Sequence, residues 1–229
     1  HPNIEVKLFN PYRFRKYRAL DMVLDLKRIN RRMHNKSFIA DHQVALIGGR
    51  NMTNQYYNVS DNYQFSDVDV MLVGTAVTDI SQSFDEYWQH NYAYDVREIV
   101  NQKSHRLSYE SLKQQLDEHY KRATVQNYLD LTSNSQAIDS IISRDIPLNW
   151  VKAEVVKDSP DKIKSKAKKQ EQEHLNFQLI NHLEQPEKNI DLISAYFVPE
   201  KKGAKILNEL AQDGIEVRVL TNSFQANDV

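Results

Sequence analysis

The sequence contains no cysteine, which excludes disulfides, thiolate metal sites and a cysteine nucleophile at once. Five glycines among 229 residues exclude a collagen-like or Gly-rich low-complexity chain. No apolar run comes near the roughly 18 residues that a membrane-crossing helix needs. Net charge is almost absent too. With 30 Lys+Arg against 31 Asp+Glu the total is −1, which argues against a bulk polyelectrolyte reader of nucleic acid. The remaining composition, 40% apolar and 27% charged, is that of a globular chain long enough to build a core.

Charge is nevertheless unevenly placed. Between Arg13 and Lys36 nine basic side chains stand against Asp21 and Asp25, a local field suited to an anionic substrate. A second basic cluster, Lys162, Lys164, Lys166, Lys168 and Lys169, has the spacing of a solvated helix face.

Alternation predicts a strand over Ile4 to Phe9, stopped by Asn10-Pro11, and apolar spacing predicts a helix over 19–33. Strands are expected at 36–40 and 43–47, around Asp41-His42, and at 67–73 before Gly74. A helix over 79–90 and a polar helical stretch over 101–145 follow, then a strand over 150–156 and a helix over 165–184. The closing part reads as a β-α-β unit: 190–198, 201–212 and 215–220. Ile4-Glu5-Val6-Lys7-Leu8 recurs in pattern as Ile215-Glu216-Val217-Arg218-Val219. With no initiator Met at the start, that placement leads us to expect a piece of a two-repeat protein, one lobe over 1–189 and the beginning of a second over 190–229.

The stretch that carries chemistry is His34-Asn35-Lys36, Asp41 and Gly48-Gly49-Arg50-Asn51, spaced H-x-K-x4-D-x6-G-G-x-N. On a strand His34 and Lys36 share one face and can address a single phosphate. Gly48 and Gly49 would let backbone approach a ligand, and Asn51 would fold back as a neutral donor. An imidazole nitrogen is a nucleophile at neutral pH, and a Lys with an amide can stabilise the charge gathering on phosphoryl oxygens. That chemistry calls for no metal and no cofactor. Asp41 falls in the turn, so its expected role is structural. All six positions together arise by chance on the order of once in 10^5 such chains.

This motif resembles that of the phospholipase D superfamily. The flanking text, Arg28 to Lys36, Ile47 to Asn51, Ser194 to Pro199 and Val217 to Ser223, resembles its bacterial cardiolipin synthase C branch. The resemblance implies an α/β fold, a mixed sheet flanked by helices, with two such motifs completing one active site. It implies that one histidine forms a phosphohistidine while another protonates the leaving alcohol. His34 would be the nucleophile, with Lys36 and Asn51 binding phosphate. Asp67, seven residues before Gly74, would accept a hydrogen bond from the motif histidine, and Asp69 on the same strand face is its rival.

Further implications are phospholipid substrates (phosphatidylglycerol, with phosphatidylethanolamine as a candidate second donor), a bacterial inner-membrane surface, and a second lobe as partner. Two positions depart from the family: Thr75 and Ala195 stand where a Pro is common. No second H-x-K-x4-D occurs within the chain: His90, His105, His174 and His182 lack a Lys two places on, and His119, which has Lys121 there, has Gln126 where the motif needs Asp. A phosphodiesterase acting on lipid or nucleic acid, and a non-catalytic phosphate-binding module, are the alternatives; the flanking text favours lipid over nucleic acid.

Overall fold

The computed structural model describes residues 2–13, 19, 23–29, 31–57, 64–100, 108–163, 175, 178–179 and 186–223. The chain divides into two compact units, 1–155 and 156–229. Val155 packs on the core of the first unit. From the next residues on, partners lie in the second: Asp158 accepts from the Leu175 amide at 2.9 Å, and the Lys157 carbonyl accepts from Gln178 Nε2 at 3.0 Å. The helix expected over 165–184, with most of the second lysine cluster, lies outside the described residues except at 175, 178 and 179.

In the first unit the opening strand is shorter than expected, β1 at Lys7–Phe9. Of the expected 19–33 helix the structure describes one turn, α1 at Leu26–Ile29, among positions only partly described. β2 (Ser37–Ala40) and β3 (Val44–Gly48) form an antiparallel hairpin. Its turn runs from Ala40 to Gln43, whose amide donates to the Ala40 carbonyl at 2.9 Å. Asp41 and His42 at its centre have φ of 51° and 54°. Paired left-handed residues match the twist of the flanking strands, and Asp and His tolerate that region better than most. β4 (Asp69–Val73) adds antiparallel to β3, giving the order β2-β3-β4.

Gly74, at φ 85°, turns the chain into α2 (Thr75–Trp88). Ile39, Ala45 and Leu72 stand in one cross-strand row, and with Ile47 they meet Val77 and Ile80 of that helix. Ala45 and Val77 are wholly buried. This is the alternation of a sheet with one covered face; Phe38 and Leu46 lie on the other face and are exposed.

β5 (Ala93–Asp95), unforeseen in the sequence, pairs antiparallel with β1, and α3 (Val96–Ile99) follows directly, capped by Asp95 through the Arg97 amide. Phe9, Tyr87, His90 and Tyr92 stack near this ribbon, and Lys7 Nζ lies 4.7 Å from the Trp88 ring centre. The polar stretch forms three helices, α4 (Tyr109–Tyr120), α5 (Ala123–Ser133) and α6 (Gln136–Ser143), none with a buried residue. Residues 150–156 pair with no strand among the described residues, contrary to expectation.

The second unit contains the expected β-α-β unit: β6 (Asn189–Ile193), α7 (Glu200–Gln212) and β7 (Glu216–Leu220), with β6 and β7 parallel. Gly214 (φ 88°) lets the chain leave the helix. Arg218 forks onto Asp191 across the ladder at 2.6 and 2.7 Å, which lowers the carboxyl's pKa. The sequence echo between the chain's two ends is not an echo of pairing, because β1 pairs antiparallel and β7 parallel.

Candidate active site at one end of the three-stranded sheet

Strand register decides what comes together. Ser37 is opposite Ile47, and Gly48 is opposite Asp69. The approach to β2, the exit from β3 and the start of β4 therefore lie at one end of the sheet. Those are the segments that carry His34 and Lys36, Gly48 to Asn51, and Asp67 with Asp69. Asp41 lies in the turn at the opposite end of β2.

His34 and Lys36 were expected on a strand, but β2 begins only at Ser37, so both sit on the irregular approach. Carbonyls on such a segment are not claimed by a ladder and remain able to accept. Two of them are used at once. His34 Nδ1 lies 2.9 Å from the Arg32 carbonyl, and Lys36 Nζ donates to the His34 carbonyl at 2.8 Å. A carbonyl can only accept, so Nδ1 carries the proton, and in the neutral imidazole Nε2 is left with its lone pair. His34 is exposed, which leaves that lone pair accessible to substrate.

Neither Asp67 nor Asp69 bonds to His34; the Arg32 carbonyl occupies the place where a carboxylate was expected. The two acids also differ from one another. Arg50 Nε donates to Asp69 Oδ2 at 2.6 Å, Nη1 to the Tyr56 carbonyl at 2.6 Å and Nη2 to the Asp67 carbonyl at 3.0 Å. The Asp69 hydrogen bond is the main reason the guanidinium pKa is raised. Asp69 is thus committed to Arg50. Asp67 accepts only locally, from the Val68 amide at 2.8 Å. The sequence offers little to mark Arg50 for this role beyond a cation beside two glycines, with carboxylates following.

Gly48 and Gly49 make room for these carboxylates. A Cβ on Gly48 would overlap Asp69 Oδ1 and come within 2.9 Å of the Val68 carbonyl, and one on Gly49 would stand 2.5 Å from Asp67 Oδ2. Asp69 is held and Val68 is backbone, so Gly48→Ala is expected to destabilise the chain by roughly 1–3 kcal/mol. Gly49→Ala meets only the end of the half-buried Asp67 side chain, which is held by no more than the neighbouring Val68 amide, and should cost less. Urea unfolding of both variants checks the order; equal costs would contradict it. Asn51 is exposed, its Nδ2 only loosely held by the Tyr56 hydroxyl at 3.5 Å.

Among the described residues no three His, Asp or Glu side chains are grouped to hold a metal ion, and no helix is long and apolar enough to cross a membrane. No family model matches the sequence, and no solved structure matches it. Curated proteins do. Cardiolipin synthase C of Escherichia coli K12 is 36% identical over 229 residues, all of this chain and 48% of that protein. An uncharacterised protein of Helicobacter pylori is 31% identical over 233 residues, again all of this chain and 45% of the relative. A cardiolipin synthase of Clostridium perfringens is 24% identical over 194 residues, 84% of this chain and 32% of that protein. The chain spans about half the length of the first two relatives. Over its full length, then, this chain is cardiolipin synthase C-like and belongs with the phospholipase D superfamily.

Proposed function

We propose that the chain carries one half of a phosphatidyl-transferring active site that makes cardiolipin from phosphatidylglycerol and a second phospholipid at a bacterial inner-membrane surface. The fold in this reading is a phospholipase D-like lobe, and the β-α-β unit from Asn189 onward opens an equivalent second lobe. The observation that supports it most is the convergence at one sheet end of a histidine with a free Nε2, a lysine and an amide.

The steps follow from those groups. Nε2 of His34 attacks the phosphorus of a phosphodiester, and the bond from phosphorus to the departing alcohol oxygen breaks. That alcohol takes its proton from a second motif's histidine, leaving the phosphatidyl group on Nε2. The same second histidine then removes a proton from the accepting alcohol, which attacks phosphorus and releases His34. Lys36 leaves the His34 carbonyl to meet a phosphoryl oxygen, while Asn51 donates to another. Asp67, whose carboxylate is not committed to Arg50, is assigned to favour the imidazolium by its charge at the same sheet end, the Nδ1 hydrogen bond being held by the Arg32 carbonyl.

Lys36→Ala and Asn51→Ala in the two-motif enzyme are each expected to lower turnover by about 10^2–10^3-fold. The assay follows cardiolipin formed from phosphatidylglycerol, with and without phosphatidylethanolamine, and hydrolysis of single-stranded DNA in parallel. Preferential cleavage of DNA would replace this reading with that of a nuclease-type phosphodiesterase. Phosphate binding without turnover in any form would leave a binding module.

A further inference from the structure

Asn10 is 1% exposed, holds φ at 51°, and uses every polar atom it has. Its Nδ2 donates to the carbonyls of Arg28 at 3.0 Å and Arg31 at 3.1 Å, and its Oδ1 accepts from Arg28 Nη1 at 2.5 Å. Its amide donates to the Tyr92 carbonyl at 2.8 Å, at the head of β5, and its own carbonyl accepts from Arg32 Nη1 at 3.4 Å. Arg28 is itself buried, 6% exposed, and donates further to Asp25 at 2.6 Å and to the Pro11 carbonyl at 3.1 Å. Its Nη2 is buried without a partner, so the site keeps a guanidinium whose bonding it does not fully satisfy. A buried amide and a buried guanidinium thus bind the end of the β1–β5 ribbon to the carbonyls of Arg28 and Arg31 and to the Arg28 side chain. The next residue, Arg32, supplies the carbonyl that holds His34 Nδ1.

We infer that Asn10 is a positioning residue for His34, holding the carbonyls of Arg28 and Arg31 so that the Arg32 carbonyl selects the Nδ1–H form of the imidazole and leaves Nε2 bare. The side chain suits the task. Only a primary amide offers two donors and an acceptor on so short a stem, and Asn is among the few residues that tolerate the left-handed region. Aspartate would present an acceptor where two carbonyls need donors, and glycine would keep the backbone but lose the latch.

The inference rests on reading His34 as the reacting group, yet its test needs no turnover. Nitrogen-15 NMR of the neutral imidazole is recorded in the wild-type chain and in Asn10→Gly and Asn10→Asp, with Val77→Ala as a folded control weakened elsewhere. The expected wild-type result is a His34 dominated by the Nδ1–H form, the reverse of free histidine's preference. In the Asn10 variants that form should fall several-fold toward a mixture, while Val77→Ala retains it. Should one Asn10 variant fail to fold, the other decides. A wild-type His34 already in the free-histidine mixture, unchanged tautomers in a folded Asn10 variant, or an equal change in Val77→Ala would each overturn the inference. Absence of phosphatidyl transfer with the tautomer effect intact would instead count against the proposed reaction alone.

Discussion

Replacing His34 by alanine in the two-motif enzyme is expected to abolish phosphatidyl transfer, a loss on the order of 10^4–10^6-fold, the scale for removing a nucleophile from an assembled site. The fold should hardly notice. His34 is exposed, precedes β2 and contributes no strand bond, so the stability change should stay within about 0.5 kcal/mol. Loss of turnover with an unchanged urea midpoint is the signature to look for. A variant that keeps even a tenth of its rate would remove His34 from the chemistry.

The second large effect concerns these 229 residues assayed without a second lobe. The departing alkoxide needs a proton, and no other histidine in the sequence completes the motif; His119 has Lys121 two places on but Gln126 in place of the Asp. Positioned general acid–base groups contribute about 10^2–10^4-fold, and a missing half-site also removes phosphate ligands. Turnover is therefore expected to be lower by at least that factor, with weak phosphate binding retained near His34, Lys36 and Asn51. The measurement is transfer and hydrolysis over a concentration series, compared with the two-motif enzyme. Rates within tenfold, rising with the dimer population, would mean that two copies of this chain complete a site by themselves.

Much of this site could be read in the sequence because its elements obey short-range rules. Alternation over 36–47 with Asp41-His42 between the strands specifies a hairpin, and paired left-handed residues deliver it. The β-α-β unit was legible for the same reason, with α7 spanning nearly the expected range. Long-range choices were not legible. Asp67 and Asp69 look equivalent in sequence, two apart on one strand face, and only the fork of Arg50 across to β4 separates them. That fork also takes the Asp67 carbonyl, and the strand begins two residues later than alternation suggested. The carbonyl partner of His34 was hidden because it depends on residues 31–36 staying outside the ladder. Trp150 to Val156 has strand-like side chains but pairs with no strand among the described residues, since alternation reports a fit to a half-buried surface and not the presence of a partner. β5 escaped notice because three residues carry too little pattern.

The central claim is that His34 becomes covalently attached to phosphorus. Rapid mixing of the two-motif enzyme with phosphatidylglycerol, quenched under alkaline conditions that spare phosphoramidates, followed by peptide mass spectrometry, tests it most directly. A phosphatidyl adduct is expected on the peptide carrying His34, formed and lost at rates compatible with turnover and absent in His34→Ala. Turnover with the adduct on another residue, or with no adduct at any mixing time, would contradict it.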